Sequence, residues 1–164
     1  MSEPVQAKRS YRPAEGRLIA EFVAARFPGA TILTRVKLGP YTGAADRPEL
    51  SEPERRMVGI WRRWVDAVVI EERQCWLIEG KIKPDPGVVS QLELYLELWP
   101  KTPEWGIYSG LPATGLIVTA IDDPLVRRMA VARGLVVEVY RPPWVDEYLK
   151  TLHARSATAS RAPL

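Results

Sequence analysis

Cysteine and histidine are nearly absent from this chain of 164 residues, which has one of each, Cys75 and His153. A single cysteine excludes a disulfide framework within the chain and favours a reducing compartment, so we expect a cytoplasmic or otherwise intracellular or virion-associated protein. Because Cys75 lies within an apolar run, we interpret it as a small core residue. The lone histidine, near the C-terminal end, provides no histidine-based acid–base pair.

Long hydrophobic runs are also missing from the sequence. No apolar stretch reaches the roughly 18 residues of a membrane helix, and the Met-Ser-Glu-Pro start shows no apolar signal region. We therefore expect no membrane segment. The composition, 46% hydrophobic and 26% charged, suits one domain with a buried core. We expect that domain at residues 13–153, between a flexible N-terminal arm (1–12) and a disordered tail (154–164).

The net charge of +3 is only mildly basic, which is compatible with a nucleic-acid partner without indicating one. The distribution of the charge is more informative, because four arginines directly precede or begin an apolar run: Arg55, Arg56, Arg62 and Arg63. Arginines in such a position could hold phosphates. The alternative is that they are ordinary solvated surface residues.

The hydrophobic periodicity predicts an α/β protein with the element order α-β-β-β-α-β-α-β. The elements are predicted at 13–27, 30–38, 63–70, 75–82, 88–99, 114–120, 125–133 and 135–140, followed by a short helix at 144–153. Such an order gives a mixed central sheet with helices on both faces. We interpret residues 39–59 and 100–113 as long loops. The second loop contains Trp105 and Tyr108, which could stack on bases, although packing is the simpler interpretation.

Two of the predicted strands carry charges inside apolar runs. Asp66 lies in the first and Glu79 and Lys81 in the second, with a polar turn at residues 71–74 between them. Buried charges are costly unless they are paired or bind a metal. If the strands close as a hairpin, Asp66 approaches Glu79, while Lys81 shares the face of Glu79. Two carboxylates and one ammonium on one patch of sheet predict a divalent-cation site.

The spacing of these residues resembles the PD-(D/E)XK nuclease superfamily, here as Val65-Asp66 followed by Glu79-Gly80-Lys81. A second feature strengthens the resemblance: Gln91-Leu92-Glu93-Leu94-Tyr95 is similar to the Gln-x-x-x-Tyr helix of the RecB-type and lambda-exonuclease-type branches. The proline of the family name is replaced by Val65. The resemblance covers roughly residues 13–140 and implies a restriction-endonuclease-like core.

The resemblance further implies a divalent-metal-dependent nuclease, with DNA as the expected substrate. Asp66, Glu79 and the peptide oxygen of Gly80 are then expected to bind Mg²⁺ or Mn²⁺, both of which prefer oxygen ligands. Lys81 would orient the attacking water or stabilise developing charge. Gln91 and Tyr95, one helical turn apart, would steady the nucleophile or a phosphate. Alternatively, Tyr95 belongs to the core and Gln91 is its exposed edge.

Many members of the superfamily also place an acidic residue on the first helix, beside the metal. Glu15 and Glu21 are both candidates, because they flank the apolar stripe of that helix on opposite sides. We prefer Glu21, which lies deeper in the helix, although either could be a solvated glutamate.

A second hypothesis keeps the fold without the chemistry. The domain would then bind nucleic acid or a protein partner, or form an oligomer, within a viral particle or a nucleoprotein machine. The Asp66, Glu79 and Lys81 set argues against it, because a structural role gives no reason to bury charges.

Overall fold

The computed structural model describes residues 5–39, 51 and 63–159 of the chain. Its helices and strands follow one another as α1 (Val5–Arg26), β1 (Thr31–Leu38), β2 (Arg63–Ile70), β3 (Cys75–Lys81), α2 (Gly87–Leu98), α3 (Gly106–Ser109), β4 (Ala113–Thr119), α4 (Pro124–Ala132), β5 (Val136–Val139) and α5 (Pro143–Ala159). Two short 3-10 turns, Trp99–Lys101 and Pro103–Trp105, connect α2 to α3. The predicted α/β class is therefore confirmed. The helix α3 was not predicted, whereas α5 corresponds to the helix predicted at 144–153.

The strands form one mixed sheet in the order β1-β2-β3-β4-β5. The first three strands are antiparallel neighbours, whereas β4 and β5 run parallel to β3. The helix α4 connects the parallel pair β4–β5, as its length and position in the sequence predict. Asp123 caps this helix by accepting hydrogen bonds from the backbone N–H groups of Leu125 and Val126.

Helices cover both faces of the sheet, and each face has its own core. Residues of α1 and α5 pack on one face, among them Leu18, Phe22 and Val145. Residues of α2 and α4 pack on the other, among them Leu92 and Val126. In this three-layer arrangement, the N-terminal end of β2 and the C-terminal end of β3 lie between α1 and α2.

The alternation of β1 and β2 breaks at one shared point. Val65 packs in the same core as Val68, three residues later, although strict alternation would send these two side chains to opposite faces. In β1 the register pairs the residues on either side of Arg35, which itself has a φ of +50°. Among the described residues, Arg35 alone has a positive φ without being glycine. Both strands are thus distorted next to Asp66.

The two terminal helices are longer than the sequence predicts. The first begins at Val5, within the segment 1–12 predicted to be a flexible arm, and contains Pro13, where the predicted helix starts. Pro13 lacks an N–H group and therefore removes one backbone hydrogen bond without ending the helix here. The last helix continues to Ala159, so the predicted tail from residue 154 is helical over most of its length.

The segment at 100–113 also differs from the predicted loop, because it contains two 3-10 turns and α3. Trp105 and Tyr108 are partly buried and pack against the core on the α2 face, which agrees with the simpler interpretation. Most of the predicted loop at 39–59 lies outside the described residues. Within the ranges 5–39 and 63–159, no helix is both long and apolar enough to cross a membrane.

Candidate active site

A cavity of about 770 Å³ lies where β2 begins and β3 ends, with walls from α1 and α2. Five of the residues predicted for catalysis line it together: Asp66, Glu79, Lys81, Gln91 and Tyr95. Their side chains come from β2, β3 and α2. Residues of α1 and β1 also line the cavity.

The hairpin register brings the two strand carboxylates together. Ala67 pairs with Ile78, so the next positions along the antiparallel ladder are Asp66 and Glu79. The Asp66 Oδ2 atom accepts a hydrogen bond of 2.9 Å from the backbone N–H of Gly80. Burial raises the pKa of Asp66, whereas this N–H and the nearby Lys81 ammonium oppose the rise.

Glu79 is the most deeply buried acid of the cavity, with 4% of its surface exposed. Its Oε1 atom accepts a 2.9 Å hydrogen bond from Gln91 Nε2 and lies 3.3 Å from Lys81 Nζ. Its Oε2 atom is buried and has no hydrogen-bond partner among the described residues. Burial and the Asp66 carboxylate raise the pKa of Glu79 to about 7 despite the Lys81 charge.

Lys81 is the cation at the centre of this acidic group. Burial lowers its pKa, but Glu79 and Glu15 raise it, and the resulting pKa lies above the ordinary value for lysine. The Lys81 ammonium therefore stays protonated at neutral pH and interacts with more than one neighbouring carboxylate.

The helix α2 contributes the pair Gln91 and Tyr95. Gln91 Nε2 donates to the Tyr95 hydroxyl at 2.5 Å as well as to Glu79, so it is not the exposed edge of a core tyrosine. Tyr95 is buried in the α2-side core, and burial raises its pKa to about 12. The phenol thus stays protonated and can donate a hydrogen bond towards the cavity.

The acid that α1 brings to the cavity is Glu15, not Glu21. Glu15 lines the cavity, its Oε1 atom accepts from the Ile82 N–H at 3.4 Å, and burial raises its pKa. Glu21 instead accepts from Trp144 Nε1 at 2.7 Å and pairs with Arg17 at 2.8 Å. These two partners, Trp144 first, lower the pKa of Glu21 and hold it against α5.

Gly80 explains why α1 can come so close. A methyl group on this residue would lie 2.5 Å from Ile19 Cγ1 and 3.4 Å from the Glu15 carbonyl oxygen. Only glycine therefore fits between Glu79 and Lys81 without displacing the first helix. A glycine inside the Glu-Gly-Lys strand segment indicates a close approach of other backbone, but nothing in the sequence showed that α1 was the neighbour.

The structure describes only one of the four predicted phosphate-binding arginines. Arg63 is the exposed first residue of β2, and its charge lowers the pKa of Tyr95, which places it near the cavity. Arg55, Arg56 and Arg62 lie outside the described residues. Sequence reasoning missed two residues that line the cavity, Arg35 and Trp64. The one available signal was that Trp64 stands two positions before Asp66.

The cavity fits a divalent cation in one respect and is incomplete in another. Over the described residues, no group of three or more His, Cys, Asp or Glu side chains is placed to hold a metal ion. Magnesium, however, is commonly bound by one or two carboxylates, with water and phosphate oxygens completing its shell. The buried, unpartnered Oε2 of Glu79 beside Asp66 provides such a pair.

Comparisons with known proteins give little further information. No family model matches the chain, and no curated protein matches it either. Among solved structures, the crystal structure of a protein of unknown function, AF1548, is similar at 13% identity with a TM-score of 0.42. The match covers 79% of this chain and 55% of that one, so the chain spans about half the length of its structural neighbour.

Proposed function

We propose that this cavity hydrolyses phosphodiester bonds of nucleic acid, with DNA as the substrate, and that it requires a divalent metal ion. The observation that carries the proposal is the Glu79 carboxylate, which is buried next to a second acid and leaves one oxygen without a partner. Burial of such a group destabilises the fold. A cation between Glu79 and Asp66 would remove that cost.

The resemblance to the PD-(D/E)XK superfamily supports the same function. Five of the residues that carry it come from three separate elements and line one cavity: Asp66, Glu79, Lys81, Gln91 and Tyr95. The mixed sheet between helical layers is the arrangement that a restriction-endonuclease-like core requires. Chance matches scattered along a sequence would not be expected to meet in space.

Each side chain has a role that follows from its surroundings. Asp66 and Glu79, with the peptide oxygen of Gly80, would hold Mg²⁺ or Mn²⁺. Such an ion, when bound, polarises the phosphate and lowers the pKa of water. Lys81 supplies positive charge for the transition state. Gln91 fixes the orientation of Glu79 through its 2.9 Å hydrogen bond.

The proposal is tested by incubating the protein with linear, circular and branched DNA in Mg²⁺, in Mn²⁺ and in chelator. Cleavage is expected only with metal. Glu79→Gln should reduce the rate at least about a thousandfold, since ligand loss removes several kcal/mol of transition-state stabilisation. Glu71→Gln, in the same hairpin but distant from the cavity, is the matched control and should cleave normally. Equal activity in wild type and Glu79→Gln would contradict the proposal.

The non-catalytic alternative has one specific observation in its favour. Ile107 in α3 is 83% exposed and could contact a protein partner, but single exposed apolar side chains are common on protein surfaces. The same assay discriminates between the two hypotheses, because an assembly domain would cleave none of the substrates in any metal. It would also leave the burial of Glu79 without an explanation.

A further inference from the structure

We propose that Trp64 is a stacking platform for an unpaired nucleobase, so that the substrate enters the site as a single strand or an unpaired strand end. This inference rests on the proposed function and names its substrate class. Its basis is a tryptophan that is held at the mouth of the cavity by two cations.

Trp64 combines exposure with proximity to the reacting groups. The side chain is 47% exposed, although its strand lies between two neighbours in the sheet. It lines the same cavity as Asp66 and Glu79. A base resting on this indole would thus bring its own phosphates beside the carboxylates.

Two cations from β1 lie over the indole ring within cation–π distance. The Arg35 guanidinium carbon lies 5.7 Å from the ring centroid, and the Lys37 Nζ atom lies 4.9 Å from it. Lys37 is the direct cross-strand partner of Trp64, which fixes the second of these contacts. Aromatic surface combined with positive charge is what single-stranded nucleic acid requires, because the bases stack while the phosphates need cations.

Arg35 links the platform to the acidic end of the cavity. It lines the cavity, and its charge reaches Asp66. Its φ of +50° is a conformation that a residue other than glycine adopts only at an energetic cost. Strain of this kind is retained where the surrounding structure has a use for the side chain. Arg35 thus contacts the indole and, together with Lys81 and Arg12, opposes the rise in the pKa of Asp66 that burial causes.

The geometry favours an unpaired strand over a closed duplex. Inside a duplex both faces of each base are covered by neighbouring base pairs, so a base could reach the indole only after leaving the stack. A single strand presents its bases without that cost. Stacking is also tolerant of base identity, so we expect little sequence preference.

The test is a binding titration in EDTA, where cleavage cannot interfere. The probes are fluorescein-labelled oligothymidylate, oligouridylate and a blunt DNA hairpin whose loop is a hexaethylene glycol linker without bases, and the variants are Trp64→Ala and Trp64→Phe. Trp144→Phe is the matched control, because Trp144 also contacts an arginine, Arg17 at 4.4 Å, but lies outside the cavity lining. Thermal melting checks that every variant is folded.

We expect the single strands to bind more tightly than the hairpin. Trp64→Ala should weaken single-strand binding about 5- to 150-fold, with partial recovery in Trp64→Phe and no change in Trp144→Phe. The two single-stranded probes show whether the sugar matters. Equal affinity for hairpin and single strand, or single-strand binding that is unaffected by Trp64→Ala, would overturn the platform. Absence of cleavage in Mg²⁺ with Trp64-dependent binding intact would contradict the proposed function alone.

Discussion

The β2–β3 hairpin carries a glutamate at each end, and the two are treated very differently by the fold. Glu71, at the turn, accepts hydrogen bonds of 2.8 Å from Trp76 Nε1 and 2.7 Å from Gln74 Nε2. These bonds lower its pKa. Glu79, at the open end, is buried with one oxygen unpartnered, and its pKa rises to about 7.

The two carboxylates differ in their burial, since Glu71 is partly exposed and Glu79 is 4% exposed. The Glu71 hydrogen bonds favour its charged form, so this residue needs nothing further. Glu79 lacks such compensation on one side and faces the charge of Asp66. Glu79 also has two side-chain donors, Gln91 and Lys81, and in both glutamates the two donors act on a single oxygen. What distinguishes Glu79 is that its second oxygen is buried, and this is why we propose that a cation binds there.

Among the following substitutions, we expect the largest effect on cleavage from the loss of Lys81, the cation that contacts Glu79 and not Glu71. Lys81→Ala should lower the cleavage rate about a hundred- to a thousandfold, because the ammonium acts on charge that develops in the transition state. Nucleic-acid affinity should change little, since binding depends on the other cations. Lys83→Ala, an exposed lysine two residues further on, is the control. Parallel losses of binding and cleavage would reduce Lys81 to a phosphate contact.

The pH dependence of stability should separate the two glutamates next. The Glu79 pKa rises from 4.5 to about 7 on folding, so the folded state binds more protons between these values. The free energy of unfolding of the metal-free protein should therefore fall as the pH rises from about 4.5 to about 7 and then level off. Glu79→Gln should reduce this fall, leaving the smaller part that comes from Asp66 and Glu15, and should stabilise the protein at pH 8 by up to about 3 kcal/mol.

Urea denaturation in EDTA across that pH range measures the effect. Glu71→Gln should behave in the opposite way and lose stability at neutral pH, because hydrogen bonds to a carboxylate are stronger than those to an amide. A Glu79→Gln variant that is less stable than wild type at pH 8 would show that the carboxylate is satisfied in the fold.

A substitution at Gly80 should have a smaller effect that is confined to the acidic end. Gly80→Ala forces Ile19 to move and should cost about 1–3 kcal/mol of stability, with a loss of cleavage because α1 carries Glu15 away from the cavity. The control is Gly115→Ala, where the added methyl would lie 2.7 Å from the flexible end of Leu135 on the other face. That variant should lose stability only. Denaturation and cleavage assays on both proteins distinguish the outcomes.

The smallest effect should separate the two acids of α1. Glu15→Gln should slow cleavage about tenfold, as expected for a residue that supports the site from the second layer. Glu21→Gln should leave cleavage unchanged and slightly lower the melting temperature, because it weakens the hydrogen bond from Trp144. If instead Glu21→Gln slowed cleavage and Glu15→Gln did not, our placement of α1 beside the cavity would be contradicted.

The sequence predicted the hairpin well because its two strands are apolar runs separated by a polar turn. Arg63–Ile70 begins and ends where the pattern predicts, and the pairing follows from the short turn. The choice between Glu15 and Glu21 failed for a physical reason. Both residues flank the same helical stripe, and only the close approach of α1 to Gly80 decides between them.

The distortion at Arg35 could not have been predicted at all. A residue with a positive φ is usually a glycine or an asparagine, and an arginine in a strand gives no indication of this conformation. Trp64 was hidden for a related reason, because an aromatic residue in a strand ordinarily indicates core. Exposure depends on what covers the strand, which is a tertiary property.

The central claim is that Asp66 and Glu79 hold a divalent cation, and calorimetric titration of the protein with Mn²⁺ tests it most directly. Wild type and Glu71→Gln should bind Mn²⁺ equally at pH 8. Binding by wild type near pH 7 should release protons, because a protonated Glu79 must lose its proton to bind the cation. Glu79→Gln should bind at least about tenfold more weakly. Mn²⁺ binding that is absent from the wild type, or that persists unchanged in Glu79→Gln, would contradict the account.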